Sequence, residues 1–208
     1  MTEGDFLGPI GNATDKYEAS NPVVRRLLDR FLRRVDEAAV SVAPASVLDV
    51  GCGEGVVTER LAKLLAPAAV LGVDADQAHL SREWQRRSAP NLSFATGSAY
   101  ELPFADGSFD VVCAIEVLEH LERPRAALSE MRRVAARALL LSVPDEPAWR
   151  ISHMLAGKNV RALGNTPGHI NHWSKRTFAD LVSEYGRLEK IDGVFPWTLA
   201  VARVPEAR

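Results

Sequence analysis

The groups in this 208-residue chain best suited to moving protons fall in two short stretches. Ile115-Glu116-Val117-Leu118-Glu119-His120-Leu121 sets two carboxylates beside an imidazole, and Gly168-His169-Ile170-Asn171-His172-Trp173-Ser174-Lys175 brings a second imidazole at His169. Histidine ionises near neutrality, so His120, with Glu119 beside it, is suited to take a proton from a hydroxyl acceptor, and His169 is a further candidate for such work.

A second constellation is built to hold a ligand. Val47-Leu48-Asp49-Val50-Gly51-Cys52-Gly53-Glu54-Gly55 runs from an apolar β-like stretch into a helical one. Glycines there let the backbone turn sharply and approach a ligand closely, and the helix N-terminus favours a negative group. The dinucleotide fingerprint needs a third glycine where Val56 stands, which argues against a nicotinamide-dependent oxidoreductase. Asp49, just before the loop, repels a pyrophosphate and attracts an ammonium, so the ligand end here is cationic or zwitterionic. Asp74 closes the next apolar stretch at the offset of about 20 at which an acidic residue takes a ribose hydroxyl pair.

Together these features resemble the class I S-adenosylmethionine (SAM) methyltransferases over roughly residues 45 to 145. The resemblance implies that the loop carrying Asp49, Gly51 and Gly53 cradles the methionine part of SAM, and that Asp74 and Ala75 take the ribose. It places the adenine against Ser98 and Ala99, in the stretch Ala95-Thr96-Gly97-Ser98-Ala99, where Ser98 replaces the usual aspartate. Ile115 and Glu116 then line the sulfonium region, and Tyr17 folds over the methionine end as a lid. Within the family, Glu-Val-Leu-Glu-His is close to the wording of ubiquinone-pathway O-methyltransferases. This implies methyl transfer to a small-molecule acceptor, a hydroxyl oxygen first, with S-adenosylhomocysteine (SAH) as product.

A second resemblance is to the small-RNA terminal-ribose methyltransferases, whose Glu-x-x-Glu-His and later histidine hold a divalent ion. By that likeness Glu116, Glu119, His120 and His169 are candidate metal ligands, a set suited to Zn, Fe, Mn or Co, and the acceptor becomes a sugar or terminal ribose hydroxyl. The metal-free cluster is preferred here. A reading of another class, a SAM- or nucleotide-binding partner subunit without catalysis, predicts ligand binding without turnover.

The elements that must position these groups follow from periodicity. Asn21-Pro22 caps an amphipathic helix with apolar Val23, Val24, Leu27, Leu28, Phe31, Leu32 and Val35. Ser46–Val50, Ala69–Asp74, Leu92–Ala95, Phe109–Ile115 and Arg137–Val143 read as strands, alternating with helices over Val56–Leu65, Gln77–Arg87 and Pro124–Val134. Ser174 caps a helix to about Tyr185, and two late strands, Leu188–Val194 and Thr198–Val204, pair as a hairpin. The expected fold is α/β: a single-domain, Rossmann-like, doubly wound seven-stranded sheet, mostly parallel, with a C-terminal antiparallel hairpin. Residues 1–44 form the lid segment and amphipathic helix, residues 45–208 the SAM-binding domain, and about 144–173 an acceptor-side insertion shaping the pocket.

Composition narrows the partners. At 47% hydrophobic and 25% charged the chain is of ordinary globular type, and a net charge of −2 gives no general field for nucleic acid or an anionic membrane. Arg25, Arg26, Arg30, Arg33 and Arg34 load the first helix, where Asp29, Asp36 and Glu37 offer partners. Cys52 and Cys113 carry no zinc or disulfide spacing, and the start lacks a basic-apolar leader, so a cytoplasmic location is expected.

Overall fold

The computed structural model describes residues 21–75, 77–146, 148 and 168–205, with the side chains of 77–79 outside that description. The expected lid at Tyr17 and most of the proposed insertion, including Trp149, His153, Met154 and Asn165, lie outside the described residues.

Five α-helices surround seven strands among the described residues: α1 Pro22–Val42, β1 Ser46–Val50, α2 Val56–Leu65, β2 Ala69–Asp74, α3 Gln77–Trp84, β3 Leu92–Thr96 and β4 Phe109–Ile115. After a 3₁₀ turn at Leu118–His120 come α4 Pro124–Val134, β5 Ala135–Pro144, α5 Lys175–Ser183, β6 Arg187–Val194 and β7 Trp197–Arg203. The sheet order is β3-β2-β1-β4-β5-β7-β6. All pairings from β3 through β5 are parallel, and β7 inserts antiparallel between β5 and β6, as the hairpin reading required.

Local chemistry explains the boundaries. The Asn21 side chain accepts a hydrogen bond from Val23 N at 2.9 Å, with Pro22 at the first helical position, which starts α1. Ser174 and Thr177 form a reciprocal capping box on α5. Two expected boundaries are corrected. Helix α3 stops at Trp84 rather than Arg87, because Arg86 N and Arg87 N bond three residues back to Glu83 O and Trp84 O in a tightened turn. Strand β5 begins at Ala135, directly at the end of α4, where a pair of alanines carries no periodicity to mark the change.

Strand alternation divides the core into two layers. Leu48, Val112, Leu139 and Leu141 face α4 and α5, burying Leu128, Met131 and Phe178. Val47, Val111, Leu140 and Val201 face α1 and α2, burying Phe31, Val35 and Leu61. Phe31 stacks on Trp197 with ring centroids 4.7 Å apart, fixing α1 to the start of β7. Among the described residues no helix is long and apolar enough to cross a membrane.

Phe31→Ala removes this buried ring and its stacking partner's contact, and large core truncations of this kind cost roughly 3–5 kcal/mol. Urea denaturation is expected to show a midpoint shift of that size, whereas a loss under about 1 kcal/mol means that α1 is not anchored through this contact.

Candidate active site

The site lies at the carboxyl edge of the parallel strands, around the point where β2 and β4 leave β1 on opposite sides. The β1–α2 loop has three glycines at positive φ: Gly51 at 73°, Gly53 at 52° and Gly55 at 77°. A Cβ at Gly51 would come 2.7 Å from the Val117 side chain, and one at Gly55 would come 2.5 Å from the Phe94 ring, so packing requires glycine there. Gly53 differs: no atom of the described residues beyond its chain neighbours lies within 4 Å of its Cβ position. The loop is held beneath by Gly51 N and Cys52 N, which donate to Val73 O at 2.7 and 3.1 Å. Gly53 N donates to the Asp74 carboxylate at 2.9 Å, joining the ends of β1 and β2 into one unit.

Asp49 lies under this loop and is 2% exposed. Its two oxygens accept from Thr58 Oγ1 at 2.7 Å and Cys113 Sγ at 3.5 Å. Burial pushes its carboxyl up to about 6, against the opposing effect of those two bonds. The side chain expected to meet an ammonium therefore also braces α2 against β4 from below.

Gly97 N donates to Asp74 O at 3.0 Å, which ties the loop after β3, carrying Ser98 and Ala99, to the end of β2. Ser98 Oγ accepts from Tyr100 N at 3.2 Å, so its hydroxyl already serves a local turn.

Beyond β4, Glu116 takes a left-handed φ of 61°, rare for a non-glycine residue. Ser142, buried in β5, holds it: Glu116 N donates to Ser142 Oγ at 3.1 Å, and the Ser142 hydroxyl donates to Glu116 Oε1 at 3.1 Å. This reversal after Ile115 starts the 3₁₀ turn. Segment 168–171 is sewn onto that turn: Ile170 N and Asn171 N donate to Glu119 O at 2.9 and 3.1 Å, and Asn171 Nδ2 donates to Leu118 O and Leu121 O at 3.1 and 2.6 Å.

The result brings Glu119, His120 and His169 together, with one potential ligand atom from each lying within 4.8 Å of the others. Glu119 is 1% and His169 8% exposed, while His120 is half-buried. The His120 and His169 rings meet edge to face at 4.9 Å, and His120 Nε2 stands 3.9 Å from Glu119 Oε1. His120 Nδ1 lies 2.9 Å from Gly168 O. A carbonyl only accepts, so Nδ1 carries the hydrogen and the neutral ring keeps its lone pair on Nε2. Glu116, the fourth candidate ligand, is directed to Ser142 and stands outside this group of three. Sequence reasoning missed Ser142, Asn171 and the Glu146–His172 pair at 3.4 Å. Only Asn171 and His172 fell in a stretch already singled out.

The Asp49 carboxyl gives a signed pH effect. Between its ordinary range near 3.8 and its folded value of about 6 the folded chain binds the extra proton, so this group's contribution to stability falls as pH rises through that interval, by up to about 3 kcal/mol. Asp49→Asn keeps an acceptor for Thr58 and is expected to remove this component. The wild-type-minus-variant difference in unfolding free energy, measured at pH 4.5, 5.5 and 7, should decline with pH, and a flat difference would overturn the assignment.

Comparison with known proteins bears on the domain and its fold. Residues 48–138 match the family model described as a methyltransferase domain. A demethylmenaquinone methyltransferase of Beutenbergia cavernae is 33% identical over 156 residues, covering 74% of this chain and 63% of the relative. A phthiotriol/phenolphthiotriol dimycocerosates methyltransferase of Mycobacterium tuberculosis is 35% identical over 117 residues, covering 56% and 43%. The first three curated relatives that match are spanned over 35%, 63% and 30% of their lengths, less than two thirds in each case. Among solved structures, a SAM-dependent methyltransferase from Aquifex aeolicus superposes with a TM-score of 0.68 at 16% identity, covering 89% of this chain and 94% of that one, a likeness of fold. Over residues 48–138 the chain matches the methyltransferase-domain family model, and its fold is like that of the solved SAM-dependent methyltransferase.

Proposed function

We propose that this protein transfers a methyl group from SAM to a hydroxyl oxygen of a small-molecule acceptor. The observation that carries the cofactor half is the Gly53–Asp74 unit: a loop residue that meets no described residue at its Cβ position, tied through its N–H to an acid at the end of the next strand. A Cβ at Gly53 would fill the cradle, and this fits a ligand pressed against the backbone. Asp74 and Ala75 would hold the ribose, Ser98 and Ala99 the adenine, Asp49 and Gly51 the methionine end, and Ile115 and Glu116 the region of the sulfur. When bound, SAM supplies an electrophilic methyl group on a sulfonium.

The chain's own work is then on the acceptor side. His120, its Nε2 lone pair set by the Gly168 carbonyl, takes the hydroxyl proton. Glu119 and His169 orient the ring and offset the positive charge it gains. Two relatives are named for demethylmenaquinone and phthiotriol dimycocerosates, which supports an organic acceptor rather than a nucleic acid.

One observation favours a second reading. A buried carboxylate and two imidazoles within 4.8 Å of one another suit a borderline divalent ion, and the Nδ1–carbonyl bond of His120 is the usual outer support of a metal-binding histidine. Such an ion would polarise the acceptor oxygen, with Glu119, His120 and His169 holding it.

Two experiments test these assignments. SAH should raise the melting temperature of the protein, Asp74→Ala should diminish that shift, and Gly53→Val should abolish it; unaltered binding in both variants places the cofactor elsewhere. In a product-forming screen of hydroxylated acceptors, His120→Ala should lose roughly 10²–10⁴ in rate while SAH binding persists, and activity should survive chelation. Loss on chelation with recovery on added Mn or Co would replace the base reading by the metal one.

A further inference from the structure

The glycine loop is gripped from outside as well as from beneath. Trp84, the last residue of α3, donates its indole Nε1–H to Gly53 O at 2.8 Å. Arg87, three residues on, donates Nε–H to the next carbonyl, Glu54 O, at 3.0 Å. The Trp84 ring itself is set by a flat stack on Phe94, with centroids 5.2 Å apart and planes 7° from parallel. Phe94 in turn sits opposite Gly72 in the β2–β3 register and fills the space next to Gly55. A rigid aromatic pair, seated on the sheet, thus reaches the loop's central peptide.

That peptide is the one most in need of an anchor. Gly53 has no side chain, sits at φ 52° and meets no described residue at its Cβ position, so its orientation there is set by hydrogen bonds to its peptide groups. Asp74 holds its N–H and Trp84 its C=O, which fixes the planes on both sides. The Gly53–Glu54 bond is trans, since the cis bonds are at Ala66-Pro67 and Phe195-Pro196, so its N–H points opposite to the carbonyl, away from Trp84. Gly55 N is used to close the turn on Cys52 O at 3.0 Å. The indole therefore aims the Glu54 N–H, a donor on the cradle loop.

We infer that Trp84 is a positioning residue for cofactor binding, which holds the Gly53–Glu54 peptide in its ligand-ready orientation, with Arg87 as a second grip on the same loop. The inference rests on the cofactor reading of the loop given above. Ordering the loop in the free protein removes an ordering cost from the binding step, so loss of the anchor appears in affinity more than in folding.

Trp84→Phe keeps the stack on Phe94 and deletes only the N–H. Isothermal titration with SAH is expected to show a three- to tenfold weaker Kd, roughly the net worth of one hydrogen bond, with a more unfavourable binding entropy. The melting temperature of the free variant should stay within about 3 °C of wild type, and amide exchange at Glu54 and Gly55 should accelerate in the free variant and be suppressed by SAH. Arg87→Met should weaken Kd in the same direction. A variant that melts lower but binds SAH like wild type has lost a purely structural contact and overturns the inference. Failure of wild type itself to bind SAH would instead overturn the cofactor assignment.

Discussion

The reversal of strand order at β1 is the constraint on which everything else rests. With β2 on one side of β1 and β4 on the other, the strand order reverses at β1 and a crevice opens at the strands' carboxyl ends. Most of the candidate groups sit on segments that leave the sheet at that edge: the glycine loop after β1, Asp74 after β2, Ser98 after β3, the Glu119–His120 turn after β4, to which segment 168–171 brings His169. Strand spacing and register bring these segments to one edge, and hydrogen bonds within and between the loops set the groups there.

The edge is electrostatically uneven, and burial sets the contrast. Asp49 lies in the apolar layer shared by α1, α2 and the sheet, where its charge is disfavoured and two weak donors only partly compensate. Asp74, half-buried at the rim, accepts a backbone N–H. One carboxylate is thus spent on bracing the loop from below and the other on shaping its upper surface. Glu119 is as buried as Asp49, yet it lies among imidazoles able to answer its charge.

Much of this was legible in the residues. Asn21-Pro22 and Ser174 announce their helices through side-chain oxygens that must cap bare N–H groups, and the alternation of strand-like and helical stretches from Ser46 onward announces a sheet with helices packed on it. The meeting of Glu119 and His120 with His169 was foreseen only through a family likeness, because nothing local ties residues so far apart in the chain. The end of α3 was misjudged because helical periodicity persists through Arg87, whereas that side chain turns instead to a carbonyl of a different loop. Trp84 gave no signal at all: its partner is 31 positions away, and an indole on a short helix reads as ordinary packing. Ser142 was hidden in a run of aliphatic residues, where its one hydroxyl props up a strained Glu116.

The near contact of Gly51 with Val117 has an evolutionary reading. The missing side chain at 51 and the branched one at 117 occupy a single volume, since a Cβ on the first would stand 2.7 Å from the second. The glycine loop proposed to cradle the cofactor and the turn that carries Glu119 and His120 are therefore fitted against each other like two halves of a die. Drift at residue 117 toward anything bulkier has nowhere to go except into the loop. A side chain added at 51 is accommodated only if the one at 117 gives way.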